Sequence, residues 1–93
     1  MTLDIIREKV LSIVHNYPIT KVVLFGSRVI GTNREDSDVD LIMEFNAPIS
    51  LLTISQIKYD LEELLGVKVD LIHGPIRESD LIEVNEVVEL YAA

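Results

Sequence analysis

No cysteine occurs in these 93 residues, which excludes disulfide staples and thiolate metal sites and suits a reducing compartment. Tryptophan is also absent and aromatic residues make up 5% of the chain, so any core must be built from Leu, Ile and Val. Three prolines and four glycines are too few and too scattered to form a linker, and no repeat or low-complexity stretch is visible. Residues 1–93 therefore read as one domain. No apolar run approaches the roughly 18–20 residues that cross a bilayer, and no basic, apolar leader opens the chain. The expectation is a cytoplasmic protein with no membrane association.

Positive charge is the scarcest property. Eight basic residues stand against sixteen acidic ones, a net charge of −8. The deficit is local, because residues 60–93 carry two basic side chains against nine acidic. Extended nucleic-acid binding wants a basic face, and this composition argues against it. The acidic segment reads as a solvated surface or as a face for a basic protein partner.

What is present is strong periodicity, since 48% of the residues are hydrophobic. Thr2 is placed to cap a first helix whose inner face carries Leu3, Ile6, Val10, Ile13, Val14 and Tyr17, ending at Pro18. Lys21 to Phe25 reads as a buried strand stopped by Gly26, and Val39 to Phe45 as a second strand. There Val39, Leu41, Met43 and Phe45 point one way, and Asp38, Asp40, Ile42 and Glu44 the other. A longer helix carries Leu51, Leu52, Ile54, Ile57, Leu61, Leu64 and Leu65 and stops at Gly66. Val67 to Ile72 is a third strand. A last helix is expected from about Ser79 to Tyr91, with Leu81, Val84, Val88 and Tyr91 inward. The order α-β-α-β-α-β-α predicts an α/β domain whose helices pack on a small mixed sheet, the first two strands being antiparallel neighbours.

Chemistry concentrates between Gly26 and Asp40. Alternation along a strand puts Asp38 and Asp40 on one face, their backbones about 6.5–7 Å apart. Carboxylates held that close repel unless a cation lies between them, and hard oxygen ligands suit Mg²⁺ with substrate phosphates. Asp70, in the third strand, can share that face. Three such carboxylates can hold two metal ions for in-line phosphoryl displacement. Gly26 lets a phosphate approach the backbone, Ser27 and the following amides can donate to it, and a short helix beginning at 27–31 would add partial positive charge. Arg28 and Arg34 can pair with a triphosphate, and Gly31 permits a tight turn.

Each piece alone has a plainer reading. Gly-Ser after a strand is usually a turn, Asp-x-Asp a solvated strand edge, Asp70 a strand-end cap, and Arg28 and Arg34 surface charges. Glu35 and Asp36 fit an exposed loop, and His15 and His73 take no role. A calcium loop starting at Asp36 fails, because Leu41 stands where glycine is needed and Ala47 where a bidentate glutamate should be.

Together the pieces are more specific. Gly26-Ser27, ten intervening residues, then Asp38-x-Asp40 resembles the signature of the DNA polymerase beta-like nucleotidyltransferase superfamily, and Asp70 within Val69-Asp70-Leu71 looks like its third carboxylate. The length and the ending Val87-Val88-Glu89-Leu90-Tyr91 are similar to its minimal nucleotidyltransferase (MNT) group, the antitoxin components of HEPN/MNT toxin–antitoxin systems. The resemblance spans nearly the whole chain. It implies a nucleotidyltransferase fold, with Asp38, Asp40 and Asp70 as catalytic metal ligands and Gly26, Ser27 and Arg28 as nucleotide-binding residues. It further implies two Mg²⁺ ions, ATP as substrate, and AMP transfer to a hydroxyl, a tyrosine's by preference, on a helical HEPN-type toxin, as a homo-oligomer or a hetero-oligomer with that toxin. One departure stands out: Ile30 replaces the second arginine of the Gly-Ser-Arg-Ala-Arg-Gly pattern that many relatives carry. With 93 residues there is no room for an acceptor domain, so the acceptor is expected on another protein. Two further readings stand beside this one. One is an antitoxin that acts by binding alone, and the other is the catalytic half of a split small-molecule nucleotidyltransferase.

Overall fold

The computed structural model describes residues 2–26, 38–75 and 87–93. Helix α1 spans Leu3–Leu11, followed by a short 3₁₀ turn at Val14–Asn16. Strand β1 is Ile19–Phe25, β2 is Val39–Phe45, helix α2 is Leu51–Leu65, β3 is Val69–His73 and β4 is Val87–Ala92. The strands form one mixed sheet in the order β3-β2-β1-β4. β1 lies antiparallel to both β2 and β4, while β2 and β3 run parallel. Parallel neighbours need a crossover, and α2 supplies it.

The helices start and stop on local chemistry. Thr2 accepts from the amide of Ile5, and Ser50 accepts from the amide of Thr53 at 3.1 Å, each satisfying an orphan donor of the first turn. α2 ends at Gly66, whose φ of +73° lets its amide return to the Glu62 carbonyl at 2.8 Å. The first helix is shorter than its periodicity predicts. It stops at Leu11, and Ile13 and Val14 reach the core from the turn and 3₁₀ segment that follow.

Both helices pack on one face of the sheet. Ile6 and Val10 of α1, Ile57 and Leu61 of α2, and Val22, Leu24, Val39, Leu41, Met43 and Val69 of the strands are all at most 1% exposed and form one continuous core. The Tyr17 hydroxyl donates to Asp60 Oδ2 at 2.7 Å and Gln56 donates to Asp60 Oδ1 at 2.8 Å, tying the turn before β1 to α2. Four residues expected to face inward are exposed, Leu3 and Leu64 among them. Leu51 and Leu52, in the first turn of α2, are 82% and 84% exposed. Among the described residues no helix is long and apolar enough to cross a membrane.

The expected last helix, from about Ser79 to Tyr91, is corrected by the structure. Residues 87–92 are strand β4, paired with β1 through Leu24↔Val88 and Phe25↔Val87. The cause is tertiary. Without β4 the strand carrying Val22 and Leu24 would expose one whole row of backbone donors and acceptors, and pairing satisfies them. The alternation of Val88 and Leu90 against Glu89 fits that strand. Residues 79–86 of the expected helix, and the short helix expected at 27–31, lie outside the described residues.

Leu61→Ala should lower stability by about 2–5 kcal/mol, because it opens a cavity in a closed core. Gly66→Ala should cost about 1 kcal/mol from its left-handed backbone alone, since no atom lies within 4 Å of the added methyl. Chemical denaturation measures both. Leu52→Ala should stay within about 0.5 kcal/mol of the parent.

Candidate active site

Packing fixes which way the acids point. With Val39, Leu41 and Met43 committed to the helix side, Asp40, Ile42 and Glu44 must occupy the opposite face of β2. The same alternation in β3 buries Val69 and turns Asp70 outward. The parallel register then sets Asp40 directly beside Asp70, and the antiparallel register sets Phe25 on the other side of Asp40. Asp38 stands one residue before β2, exposed. Gly26 follows β1 at the same end of the sheet.

The two central acids touch. Asp40 is half-buried, and its carboxyl is pushed up from the ordinary 3.8 to about 6. Burial is the first cause, followed by a side-chain hydrogen bond with Asp70, the like charge of Asp70 and the like charge of Asp38. The neighbouring carboxylate therefore disfavours ionisation of Asp40. The structure thus brings Asp40 and Asp70 into contact, with Asp38 close enough to act on Asp40 through its charge. Among the described residues no group of three or more His, Asp or Glu side chains is placed to hold a metal ion. Mg²⁺ commonly takes one or two carboxylates and completes its shell with water and phosphate oxygens, so an open pair beside a third charge is a suitable donor set.

Gly26 is part of the same construction. Its φ is +85°, and a Cβ at this position would overlap Asp40 Oδ2. Only glycine lets the chain turn here while the carboxylate stays upright. Ser27 and Arg28, the other two expected nucleotide-binding residues, lie outside the described residues, as do Ile30, Gly31, Arg34, Glu35 and Asp36.

One residue that sequence reasoning did not single out helps position the pair. Glu62 Oε2 accepts from the amide of Val69 at 3.0 Å, and the Lys68 carbonyl accepts from the amide of Val39 at 2.9 Å. Together they pin the starts of β2 and β3 level with each other, next to Asp40 and Asp70. Nothing in the spacing of Glu62 announces this role. A surface depression of about 450 Å³ lies nearby, lined by Glu62, Glu63, Gly66, Val67 and Lys68. It contains none of the three acids, and nothing in its lining suggests chemistry.

The sequence matches the family model described as "Nucleotidyltransferase domain" over residues 3–90. It is 32% identical over 93 residues to the Methanocaldococcus jannaschii protein named "Putative protein adenylyltransferase MJ0435", covering 95% of this chain and 100% of that one. A chain-long match of that order shows the family: this protein belongs to the nucleotidyltransferase domain family, and it is an enzyme of the nucleotidyltransferase class. Its fold is also that of a toxin–antitoxin crystal structure containing AMP-PNP, with a TM-score of 0.77 at 19% identity over 94% of this chain and 73% of that one. A tri-AMPylated Shewanella oneidensis HEPN toxin in complex with its MNT antitoxin gives a TM-score of 0.72 at 16% identity, covering 97% of this chain and 72% of that one.

Two outcomes test the geometry. Between about pH 4 and 6 the folded chain holds a proton on Asp40 that the unfolded chain has lost, so stability falls as pH rises through that window. Relative to Asp40→Asn, the wild type should therefore lose melting temperature from pH 4 to pH 6, and Mg²⁺ should restore it above pH 6 in the wild type only. Gly26→Ala should lose about 1–3 kcal/mol of stability in denaturant melts and weaken the Mg²⁺ effect, because it adds backbone strain and displaces the Asp40 carboxylate.

Proposed function

We propose that this chain transfers AMP from ATP to a hydroxyl, a tyrosine by preference, on a HEPN-type toxin, and acts as that toxin's antitoxin. The observation that carries the reading is the Asp40–Asp70 contact on the sheet face opposite the helices, with Asp38 beside it and the Gly26 turn against it. The name of the full-length relative and the AMP-modified toxin in the Shewanella complex support the donor, the reaction and the partner class.

In this reading Asp38 and Asp40 hold Mg²⁺, two ions in all, with Asp70 shared toward the acceptor. Bound there, the metal would neutralise triphosphate charge and polarise the α-phosphoryl group. The protein's own groups do the rest. Gly26 brings backbone close to the phosphates, with Ser27 and Arg28 as donors to the β- and γ-phosphates. Asp70, the most exposed member of the contacting pair, takes the proton of the incoming hydroxyl. The hydroxyl oxygen bonds to the α-phosphorus as the α–β bridge bond breaks, and pyrophosphate leaves. A hetero-oligomer with the toxin supplies the acceptor, and the cytoplasm, where ATP and a cysteine-free chain are both at home, is the setting.

The test is direct. Incubated with Mg²⁺, ATP and a HEPN-type toxin, the protein should raise the toxin's mass by whole AMP increments and abolish its activity. Asp38→Asn, Asp40→Asn and Asp70→Asn should each slow the mass gain by about 100-fold or more, the order expected when transition-state charge stabilisation is lost. Toxin neutralisation that persists in these variants with no mass gain would replace the reading with inhibition by binding alone.

A further inference from the structure

Across a trans peptide the carbonyl and the amide point in opposite directions. The peptide that joins Lys68 to Val69 is held on both sides. Its carbonyl accepts from the Val39 amide at 2.9 Å, which ties β3 to β2. Its amide therefore points away from the sheet, at an edge where β3 has no neighbouring strand among the described residues. There Glu62 Oε2 accepts it at 3.0 Å. A carboxylate on α2 takes the place that a further strand would fill, and an ionised acceptor makes a stronger bond than a carbonyl does.

That peptide lies between two of the acids. Val39 directly follows Asp38, Val69 directly precedes Asp70, and the two valines are register partners. The path from Asp38 to Asp70 thus runs through Val39, one interstrand hydrogen bond and the Lys68–Val69 peptide. Turning this one peptide plane would shift Asp70 against Asp38, and against Asp40 with which it is in contact. Glu62 is itself well anchored. Its helix is fastened to the core by Ile57, Leu61 and Leu65, and its own carbonyl accepts from the Gly66 amide at 2.8 Å. One residue therefore grips both ends of the turn at residues 66–68, through its backbone at one end and its side chain at the other.

We propose that Glu62 is a positioning residue for the reaction: by fixing the Lys68–Val69 peptide plane it sets Asp70 against Asp40 and Asp38, and with that the affinity of the site for Mg²⁺ and the rate of transfer. The kinetic part rests on the AMP-transfer reading, while the geometric part stands on the hydrogen bonds. Glu62 acts through the backbone, so its reach matters and its charge does not. Glutamine keeps an oxygen at the same place. Aspartate keeps the charge but falls one carbon–carbon bond short, about 1.5 Å.

The test compares Glu62→Gln, Glu62→Asp and Glu62→Ala with Ile57→Val, a core change in the same helix that leaves the bond intact. In metal-free protein, hydrogen exchange at the Val69 amide should keep its wild-type rate in Glu62→Gln and quicken about tenfold in Glu62→Asp and Glu62→Ala. With Mg²⁺ alone as the probe, the Kd read from the amide resonances of residues 38–41 and 69–71 should rise about tenfold in the same two variants, the order by which loss of an outer support weakens a metal site. In AMP transfer to a HEPN-type toxin their kcat should fall about tenfold at saturating Mg²⁺, with the ATP KM unchanged. Ile57→Val should lower the melting temperature and alter none of these. The proposal is overturned if Glu62→Asp leaves either the Val69 exchange or the Mg²⁺ affinity at the wild-type value, or if Glu62→Gln behaves like Glu62→Asp. It is equally overturned if Ile57→Val weakens Mg²⁺ binding as much, or if Mg²⁺ shifts no resonance in the wild type. The expected Mg²⁺ pattern without any AMP transfer would instead sink the AMP-transfer reading and leave Glu62 its place in the metal site.

Discussion

Two carboxylates pressed together on adjacent parallel strands are the constraint around which this small domain is organised. Like charges at hydrogen-bond distance are unfavourable, and they persist only where something stronger holds their backbones. Here that is the aliphatic core. Val39 and Leu41 flank Asp40, and Val69 precedes Asp70, and all three apolar residues are fully buried under the helices. Sliding either strand by one residue would carry the acid into the core and a valine or leucine into water. Hydrophobic burial of several side chains outweighs one carboxylate contact, so the strained arrangement survives.

The same logic divides the labour between the two faces of the sheet. The helix side supplies stability, and the buried core described there is built of Leu, Ile, Val and Met. The other side carries the acids and the ion pairs of Lys21 with Glu44 and Glu89. Gly26 links the two requirements, because its left-handed backbone turns the chain away from β1 in the only manner that leaves room for the Asp40 carboxylate. A domain with so little mass can afford a charged, partly unsatisfied face only because its other face is so uniformly aliphatic.

Much of this was legible in the residues, and the exceptions have physical causes. The alternation from Asp38 to Phe45 gave the strand and the direction of its acids, and Ser50 and Gly66 marked the ends of α2. The nucleotidyltransferase fold followed from Gly26-Ser27 and the three aspartates. Alternation places Asp40 and Asp70 on one face but cannot say that they stand level; that depends on the pairing of β2 with β3, a long-range fact. The segment ending at Tyr91 was misread because Val84, Val88 and Tyr91 satisfy a helical period while Val88 and Leu90 also satisfy a strand's. The open edge of β1 decided between them, and no local pattern contains that edge. Leu51 and Leu52 looked inward for a similar reason. They share the period of α2 but precede the part of it that meets the sheet.

The position of β4 shapes how the domain can assemble. β1 is an inner strand, yet its two neighbours come from different times in synthesis: β2 begins fourteen residues after β1 ends, whereas β4 is contributed by residues 87–92. Until β4 pairs, β1 presents an unpaired backbone edge. The closing of β4 against Val22 to Phe25, with the Ala93 amide on the Thr20 carbonyl, is therefore the event that removes an adhesive edge from the sheet.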